Sequence, residues 1–151
     1  MRLDRAGIAA RIPHQGTMCL LDRVLDWDAD HIRCAAQSHR AADNPLRAHG
    51  RLGAACGIEY AAQAMAVHGA LCAAAGSPLP PRRGMLTSVR GVALHVPRLD
   101  DVAADLVVQA ERVSGDGGAA AYAFSLRAGE LVLVEGRATV ILDIAALEGQ
   151  G

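Results

Sequence analysis

One carboxylic acid in this chain has the type and setting that acid–base chemistry needs. Glu59 lies near the start of a helix-length run of apolar residues, with no basic residue three or four positions away. Burial raises the pKa of a carboxyl group, whereas a helix N-terminus lowers it. A carboxyl held between these two effects can serve as a general acid. The alternative is that Glu59 only complements the helix dipole from a solvated end.

Two histidines and one glutamine could work with this acid. His14 follows Pro13 at the expected mouth of the first strand, and His49 lies in a polar segment from which it could reach the helix start. The alternatives are that His14 bonds loop backbone and that His49 is a solvated loop residue. Gln63 is one helical turn beyond Glu59 on the same face, so it could orient the carboxyl or satisfy a buried backbone group.

The composition excludes several functions. Hydrophobic residues make up 52% and charged residues 21% of the 151 residues, which indicates one globular domain over residues 1–151. All 15 basic residues are Arg, which excludes a Schiff-base or P-loop lysine. A net charge of −1 with scattered arginines argues against nucleic-acid binding. Without a signal-peptide pattern or a transmembrane stretch, we expect a cytoplasmic protein that does not bind membranes.

The four cysteines form no metal or redox motif. Cys19, Cys34, Cys56 and Cys72 include no CxxC pair, which is the spacing of zinc and thioredoxin-like sites. A disulfide framework is unexpected in a chain without a secretory signal. We interpret all four as small buried hydrophobic residues, with a catalytic Cys–His pair as the alternative.

Periodicity and turn residues predict the elements that must position these side chains. A long loop covers 39–53. The helix over 54–75 is apolar nearly all round, so it must be buried on most sides. His68 lies opposite Glu59 on this helix and is predicted to be a satisfied core or interface histidine. A short helix is predicted within the first eleven residues, and strands over 18–27, 31–38, 85–96, 105–113, 119–127 and 131–142.

One buried helix among six strands has an economical arrangement. The last four strands are joined by hairpin-length separators, so they should be sequential and antiparallel. An α+β fold follows, in which the sheet curls around the helix. The opposite face of the helix then needs cover, which a dimer would supply. We expect the strand over 85–96 to pair edge to edge with a second chain.

Two motifs in this order resemble one family. Residues 12–24, Ile-Pro-His-Gln-Gly-Thr-Met-Cys-Leu-Leu-Asp-Arg-Val, resemble the opening of the β-hydroxyacyl-acyl-carrier-protein dehydratases. Residues 57–64, Gly-Ile-Glu-Tyr-Ala-Ala-Gln-Ala, resemble the start of their central helix, where an acid precedes an Ala-Gln pair. The chain is most similar to the dehydratase-like subunit of aryl polyene biosynthesis. The resemblance implies the hotdog fold, an antiparallel six-stranded sheet wrapped around one long buried helix.

The resemblance also implies a reaction and its residues. It is the loss of water from a 3-hydroxyacyl chain carried as a thioester on acyl carrier protein, in fatty-acid or polyene type biosynthesis. A histidine, His14 or His49, would take the α-proton, and Glu59 would protonate the β-hydroxyl. Gly57 and Gln63 would bind substrate, with backbone N–H groups near Gly57 polarising the thioester carbonyl. No metal or diffusible cofactor is required.

The carrier and a second chain are the implied partners. Acyl carrier proteins are acidic, so a docking face needs local positive charge. Arg82 and Arg83 follow Pro80-Pro81 on a stiff connection beyond the helix, and they are the predicted carrier-docking residues. The alternative is that they are solvated loop arginines. The chain itself would form a homodimer, or a heterodimer with another hotdog subunit.

One segment departs from the family pattern. The well-known dehydratases carry a His-Phe-Pro-Gly run before the helix acid. Here His49 lies ten residues before Glu59 and is followed by Gly-Arg-Leu-Gly. The histidine of the family is therefore displaced to His49 or absent. Three alternatives stay open: a non-catalytic partner that completes an active hotdog subunit, a thioesterase in which Glu59 activates water, and an acyl-binding module.

Overall fold

The computed structural model describes residues 3–12, 14–76, 84–115 and 119–142 of this chain. A short helix is followed by two strands, a long helix and four more strands, the order that the sequence predicts. The elements are α1 (Arg5–Ala9), β1 (Arg23–Trp27), β2 (His31–Ala36), α2 (Gly57–Gly76), β3 (Gly84–Leu94), β4 (Leu106–Gly115), β5 (Ala119–Ala128) and β6 (Leu131–Leu142).

The six strands form one antiparallel sheet in the order β1-β2-β4-β5-β6-β3. Strands β4, β5 and β6 pair with their neighbours in sequence, as hairpin connections require. The predicted hairpin between β3 and β4 is wrong, because β3 pairs with β6 at the edge of the sheet. The residues between β3 and β4 bond the segment before α2 instead, through Pro97 to Ala54 and Leu99 to Leu52. Helix α2 connects β2 to β3 at the opposite edge and packs against β2, β3, β4, β5 and β6 on the way. The predicted α+β arrangement of one sheet around one long helix is confirmed.

Strand alternation builds the core beneath α2. Along β5, Ala120, Tyr122, Phe124 and Leu126 are buried, whereas the residues between them are only half-buried. Successive side chains of a strand point to opposite faces, so these four share the face that meets the helix. Fully burying a side chain of the size of Leu126 contributes about 1.5–3 kcal/mol. The core therefore fixes where α2, and with it Glu59, lies on the sheet.

One stripe of α2 remains accessible. Glu59 is exposed, and Ala62, Ala66 and Gly69 follow it as half-buried residues. Their spacing of three and four residues places them on one side of the helix. The prediction that the helix is buried on most sides is confirmed. The predicted cover of this stripe by a second chain stays a prediction.

The predicted strand over 18–27 is shorter than expected. Residues Gly16–Met18 form a 3₁₀ turn, and the strand begins only at Arg23. The reason is that side chains take the backbone groups of this segment. The Gln63 amide accepts from Leu20 N–H at 2.9 Å and donates to the Met18 carbonyl at 2.7 Å. Those groups are therefore not available to a neighbouring strand.

Two other boundaries shift for local reasons. The strand predicted over 31–38 ends at Ala36, because Ser38–Arg40 forms a 3₁₀ turn at the start of the predicted loop. The predicted helix start at residue 54 is a 3₁₀ turn over Ala54–Cys56, and the α-helix proper begins at Gly57. These shifts leave the order of elements unchanged.

Strands β1 and β3 are the two edges of the sheet. Strand β3 pairs with β6 on one side, so its other side presents N–H and C=O groups that a further strand could use. This is the strand, predicted over 85–96, that we expect at a dimer interface. Its position at an edge is what that interface requires, and the pairing with a second chain stays a prediction.

Candidate functional site

Glu59 is exposed in the first turn of α2. The 3₁₀ turn Ala54–Cys56 leads directly into the helix, so the carboxylate stands near the positive end of the helix dipole. Within the described ranges, no hydrogen bond or ion pair holds this carboxylate. The side chain can therefore reach a ligand without breaking a hydrogen bond or ion pair to any described residue. Its role as a general acid stays a prediction.

Gln63 serves the backbone rather than the Glu59 carboxyl. The side chain is 1% exposed, and both ends of its amide are bonded to the segment between Met18 and Leu20. The sequence allowed Gln63 either to orient the Glu59 carboxyl or to satisfy a buried backbone group, and the structure shows the second role. A contact of Gln63 with substrate stays a prediction, and it would have to use a group that already has a backbone partner.

Gly57 lets α2 approach the sheet closely. A Cβ atom at this position would lie 3.0 Å from Leu126 Cδ2 and 3.3 Å from Val134 Cγ2. Its N–H already donates to the carbonyl oxygens of Ala54 and Ala55. The predicted role of this N–H as a donor to a thioester carbonyl would therefore require that bond to open. The close approach explains the glycine without any ligand.

His14 is half-buried at the end of the segment that follows α1. Its Nδ1 atom is buried and meets no hydrogen-bond partner among the described residues. A buried polar atom without a partner carries a free-energy cost of roughly 1–3 kcal/mol, which a ligand could relieve. His39 Nδ1 is buried without such a partner as well, so this feature alone does not place His14 in a site. The role of His14 as a base stays a prediction.

His49 lies at the exposed tip of a tight turn. Its φ angle is 53° and that of Gly50 is 76°. Ala48 and Arg51 close the turn with N–H···O bonds of 2.9 and 3.1 Å. Two successive residues with positive φ are the signature of a two-residue hairpin turn, in which glycine takes the second position easily. Across the described residues, no hydrogen bond links His49 or His14 to Glu59.

A buried polar network, which the sequence analysis missed, joins the helix start to two loops. The Tyr60 hydroxyl lies 2.8 Å from Ser38 Oγ and 3.0 Å from Asn44 Nδ2. Tyr60 is 0% and Asn44 6% exposed. The sequence signal was limited to the one tyrosine of this helix, which lies beside Glu59. Its partners lie 16 and 22 residues away, beyond the reach of a local pattern.

A polar cavity opens beside this network. It has a volume of about 420 Å³ and lies between the α1 side of the chain and the loop that follows β2. Arg5 at its rim donates to the carbonyl oxygens of Gly16 and Cys19 at 3.0 and 2.6 Å. The lining residues are Arg5, Thr17, Asp22, Gln37, Ser38, Arg40, Ala41, Asp43 and Asn44.

His68 is a satisfied core histidine, as predicted. Its side chain is 1% exposed, and Nε2 lies 2.8 Å from the Asp28 carbonyl oxygen. A carbonyl only accepts, so Nε2 carries a proton. Burial lowers the pKa of His68 and so favours the neutral ring, in which Nδ1 accepts from the Tyr122 hydroxyl at 2.7 Å. This histidine is therefore neutral and fully bonded.

The contact between Cys72 and His68 does not support the alternative of a catalytic Cys–His pair. Cys72 Sγ lies 3.4 Å from His68 Nε2, but that nitrogen already donates a proton and cannot accept another. Burial also raises the pKa of the Cys72 thiol, which disfavours the nucleophilic thiolate. Cys19 and Cys34 are buried and Cys56 and Cys72 half-buried, all of them as free thiols.

We expect acid to destabilise the protein through two buried histidines. Burial lowers the pKa of His39 and His68 in the folded state, so the unfolded chain takes up protons first as the pH falls below about 6.5. Stability that is present above this pH is then lost, at up to about 1.4 kcal/mol per pH unit for each histidine. Urea unfolding at pH values from about 6.5 to 5 measures the slope. His68→Gln should make that slope shallower, and an unchanged slope would contradict this account.

Two residues of the predicted site are not among those that the structure describes. Arg82 and Arg83, the predicted carrier-docking residues, lie outside the described residues.

Within the described ranges, no helix has the length and apolarity to cross a membrane. The same ranges contain no group of three or more His, Cys, Asp or Glu side chains that could hold a metal ion.

Comparison with known proteins gives one family. The family model ApeP-like, described as ApeP dehydratase, matches residues 6–147. No curated protein matches the chain. Among solved structures, the dehydratase heterocomplex ApeI:P from Xenorhabdus doucetiae is similar at 23% identity, with 93% of this chain and 95% of that chain covered and a TM-score of 0.80.

Thioesterases share the fold at lower similarity. Thioesterase HI1161 from Haemophilus influenzae matches at 12% identity, covering 79% of this chain and 76% of that chain, with a TM-score of 0.57. A mutant of thioesterase PA1618 from Pseudomonas aeruginosa matches at 11%, covering 80% of each chain, with a TM-score of 0.59. Such identities show the fold alone. Together with the strand order, the solved structures confirm the hotdog fold.

Proposed function

Because this chain belongs to the ApeP-like dehydratase family, we propose that its dehydratase-like function is the loss of water from 3-hydroxyacyl chains held as thioesters on acyl carrier protein. The family match over residues 6–147 is the observation that carries the proposal. The family match favours a reaction in polyene biosynthesis. The carrier is inferred from the family's chemistry.

The proposed step needs one base and one acid. His14 or His49 takes the α-proton, the electron pair of that C–H bond forms the new C=C bond, and the β C–O bond breaks. Glu59 gives its proton to the departing hydroxyl, which leaves as water. The Glu59 carboxyl is exposed in this chain and makes no hydrogen bond within the described part of it, so it is free to contact a ligand. The burial that favours a protonated acid is not provided by this chain and would have to come from a second one. No metal or diffusible cofactor takes part.

We further propose that a second hotdog chain completes the site. The similar structure from Xenorhabdus doucetiae is a heterocomplex, and strand β3 presents an unpaired edge in the described chain. The accessible stripe that begins at Glu59 would then lie at or near the interface. A base from the partner, or His14 or His49 moved by the partner, would meet the acid there.

We expect the purified chain to be at least a dimer, or to form one with a second hotdog chain. Edge pairing through β3 satisfies its backbone groups, and cover of the α2 stripe removes apolar surface from water. Light scattering at micromolar concentration measures the mass, with the chain alone and after mixing with an ApeI-type chain. A stable monomer in both samples would contradict this expectation.

A non-catalytic partner is the second candidate function. The observation that favours it is the missing His-Phe-Pro-Gly run, together with a His49 that is exposed in a turn and not bonded to Glu59. In that case the chain would complete the site of an active hotdog subunit without supplying the acid. The two candidates differ in what Glu59 does.

Rates of enoyl thioester formation test the proposal. The chain alone, an ApeI-type chain alone, and the two together receive the same 3-hydroxyacyl carrier substrate. The proposal predicts that the mixture forms enoyl product faster than the sum of the separate chains. A mixture no faster than the second chain alone would contradict it. A mixture that is faster, but indifferent to Glu59→Gln, would support the non-catalytic partner.

A further inference from the structure

The hydroxyl of Tyr60 is both donor and acceptor in the buried network. The Leu20 carbonyl can only accept, so the Ser38 hydroxyl donates to it at 2.7 Å. Ser38 Oγ must then accept from the Tyr60 hydroxyl at 2.8 Å. The Asn44 amide in turn donates to the Tyr60 oxygen at 3.0 Å. The donor of each hydrogen bond in this network is therefore fixed: Asn44 donates to Tyr60, Tyr60 donates to Ser38, and Ser38 donates to the Leu20 carbonyl.

Asn44 links this network to the segment that carries His49. Its amide nitrogen also donates to the Ser38 carbonyl at 2.9 Å, and its Oδ1 accepts from Leu46 N–H at 2.8 Å. The turn with His49 at its tip is closed by Ala48 and Arg51, so it starts two residues beyond Leu46. The bond to Tyr60 thus fixes the base of the His49 turn against α2.

The same helix turn holds the segment that follows His14. Gln63 lies three residues beyond Tyr60, which places the two side chains on one side of α2. Gln63 bonds the backbone on both sides of Cys19, and Tyr60 reaches the Leu20 carbonyl through Ser38. The two segments with candidate histidines are therefore tied to one turn of the helix.

We propose that Tyr60 is a positioning residue, which holds the segments of His14 and His49 in register with the helix turn that carries Glu59. Tyr60 is 0% exposed and lies about 100° around the helix from Glu59, so it points into the protein while the acid faces outward. It touches no reacting atom. The inference rests on the proposed dehydration, in which these side chains are the acid and the candidate bases.

Tyr60→Phe tests the proposal, and Tyr122→Phe is its matched control. These are the two tyrosines of the chain. Both are buried, and the Tyr122 hydroxyl donates to His68, away from the candidate site. Each change leaves a buried partner unsatisfied, so both should lower the melting temperature. We expect only Tyr60→Phe to reduce kcat of the active assembly, by about tenfold or more, with KM changed much less.

Amide hydrogen exchange gives a readout that does not need activity. Tyr60→Phe should speed exchange at Leu46 N–H, which is bonded to Asn44, and at Leu20 N–H, which is bonded to Gln63. Tyr122→Phe should not. Ser38→Ala should reproduce the Tyr60→Phe result, and Ser38→Thr, which keeps the hydroxyl, should stay near wild type.

The outcomes separate this inference from the proposed function. Exchange and kcat that respond equally to Tyr60→Phe and Tyr122→Phe would overturn the positioning role. If Tyr60→Phe fails to fold, the Ser38→Ala and Ser38→Thr pair decides in the same way. If the wild-type assembly forms no enoyl product, the proposed dehydration fails. The exchange comparison then still decides whether Tyr60 holds the two segments.

Discussion

Replacing Glu59 with Gln should reduce dehydration by the active assembly by about 10²–10⁴-fold, the usual contribution of a general acid. Glutamine keeps the shape of the side chain but removes the proton that the departing hydroxyl needs. The carboxylate is exposed and makes no hydrogen bond or ion pair in the described chain. The folded state therefore loses only the attraction between this charge and the helix dipole, about 0.3–1 kcal/mol.

The measurement is steady-state turnover together with a melting temperature for each variant. Glu130→Gln is the matched control, because Glu130 is an exposed acid in the turn between β5 and β6 and does not belong to α2. It should leave both turnover and melting temperature near wild type. Unchanged turnover for Glu59→Gln would leave only the interaction with the helix dipole as a role for this residue.

The second large effect concerns the two candidate histidines. We expect His14→Ala to reduce turnover or acyl binding about tenfold more than His49→Ala, since a lost polar contact with a bound group costs on the order of 1–3 kcal/mol. His14 lies in the motif that resembles the dehydratases, and its Nδ1 is buried without a hydrogen-bond partner among the described residues. His49 is exposed at the tip of a turn whose backbone bonds do not involve its side chain.

Turnover and acyl affinity of both variants, measured in the same assembly, decide between the histidines. His95→Ala is a suitable control, because the His95 side chain is exposed and pairs with Glu135 at 2.7 Å on β6. If His49→Ala alone abolishes turnover, His49 is the displaced family histidine. The turn would then have to change its position in the complex with a second chain.

The fold was predictable because its signals are local. Turn residues marked the ends of the last four strands and the hairpins β4-β5 and β5-β6, and the mostly apolar run that ends at Gly76 marked the helix. They did not show that β3 pairs with β6 and not with β4. The clearest error was the start of the first strand, which was predicted at residue 18, whereas β1 begins at Arg23. The cause is that sequence patterns do not show which distant side chains bond this segment. Residues 18–22 look like a strand by hydropathy, but Gln63 and Ser38 take their backbone groups.

The site was predictable only where the family motif covers it. Glu59 lies at the helix start, as expected. His14 does not lie at the mouth of a strand, because the turn Gly16–Met18 follows it and β1 begins only at Arg23. The backbone role of Gln63 depends on a partner 43 residues away, and the network of Tyr60 joins segments that are separate in sequence. Hydrogen bonds between distant segments are set by packing, so no spacing rule could have found them.

The structure shows how residues 49–53, which depart from the pattern of the well-known dehydratases, are held in place. Where the well-known dehydratases carry a His-Phe-Pro-Gly run, this chain closes a turn at His49-Gly50, and the next residues bond the connection that follows β3. Leu99 N–H donates to the Leu52 carbonyl at 2.8 Å, and Leu52 N–H donates to Asp100 at 2.9 Å. The segment is well bonded, which is a reason to look for the base at His14 or in a second chain.

Identification of the product on the carrier tests the central claim most directly. A 3-hydroxyacyl acyl carrier protein is incubated with this chain and an ApeI-type chain, and the intact carrier is analysed by mass spectrometry. Dehydration predicts that the carrier keeps its acyl group and loses one water, and that the loss disappears with Glu59→Gln in this chain. A carrier that instead releases its acyl group to give the free thiol would show a thioesterase and contradict the account.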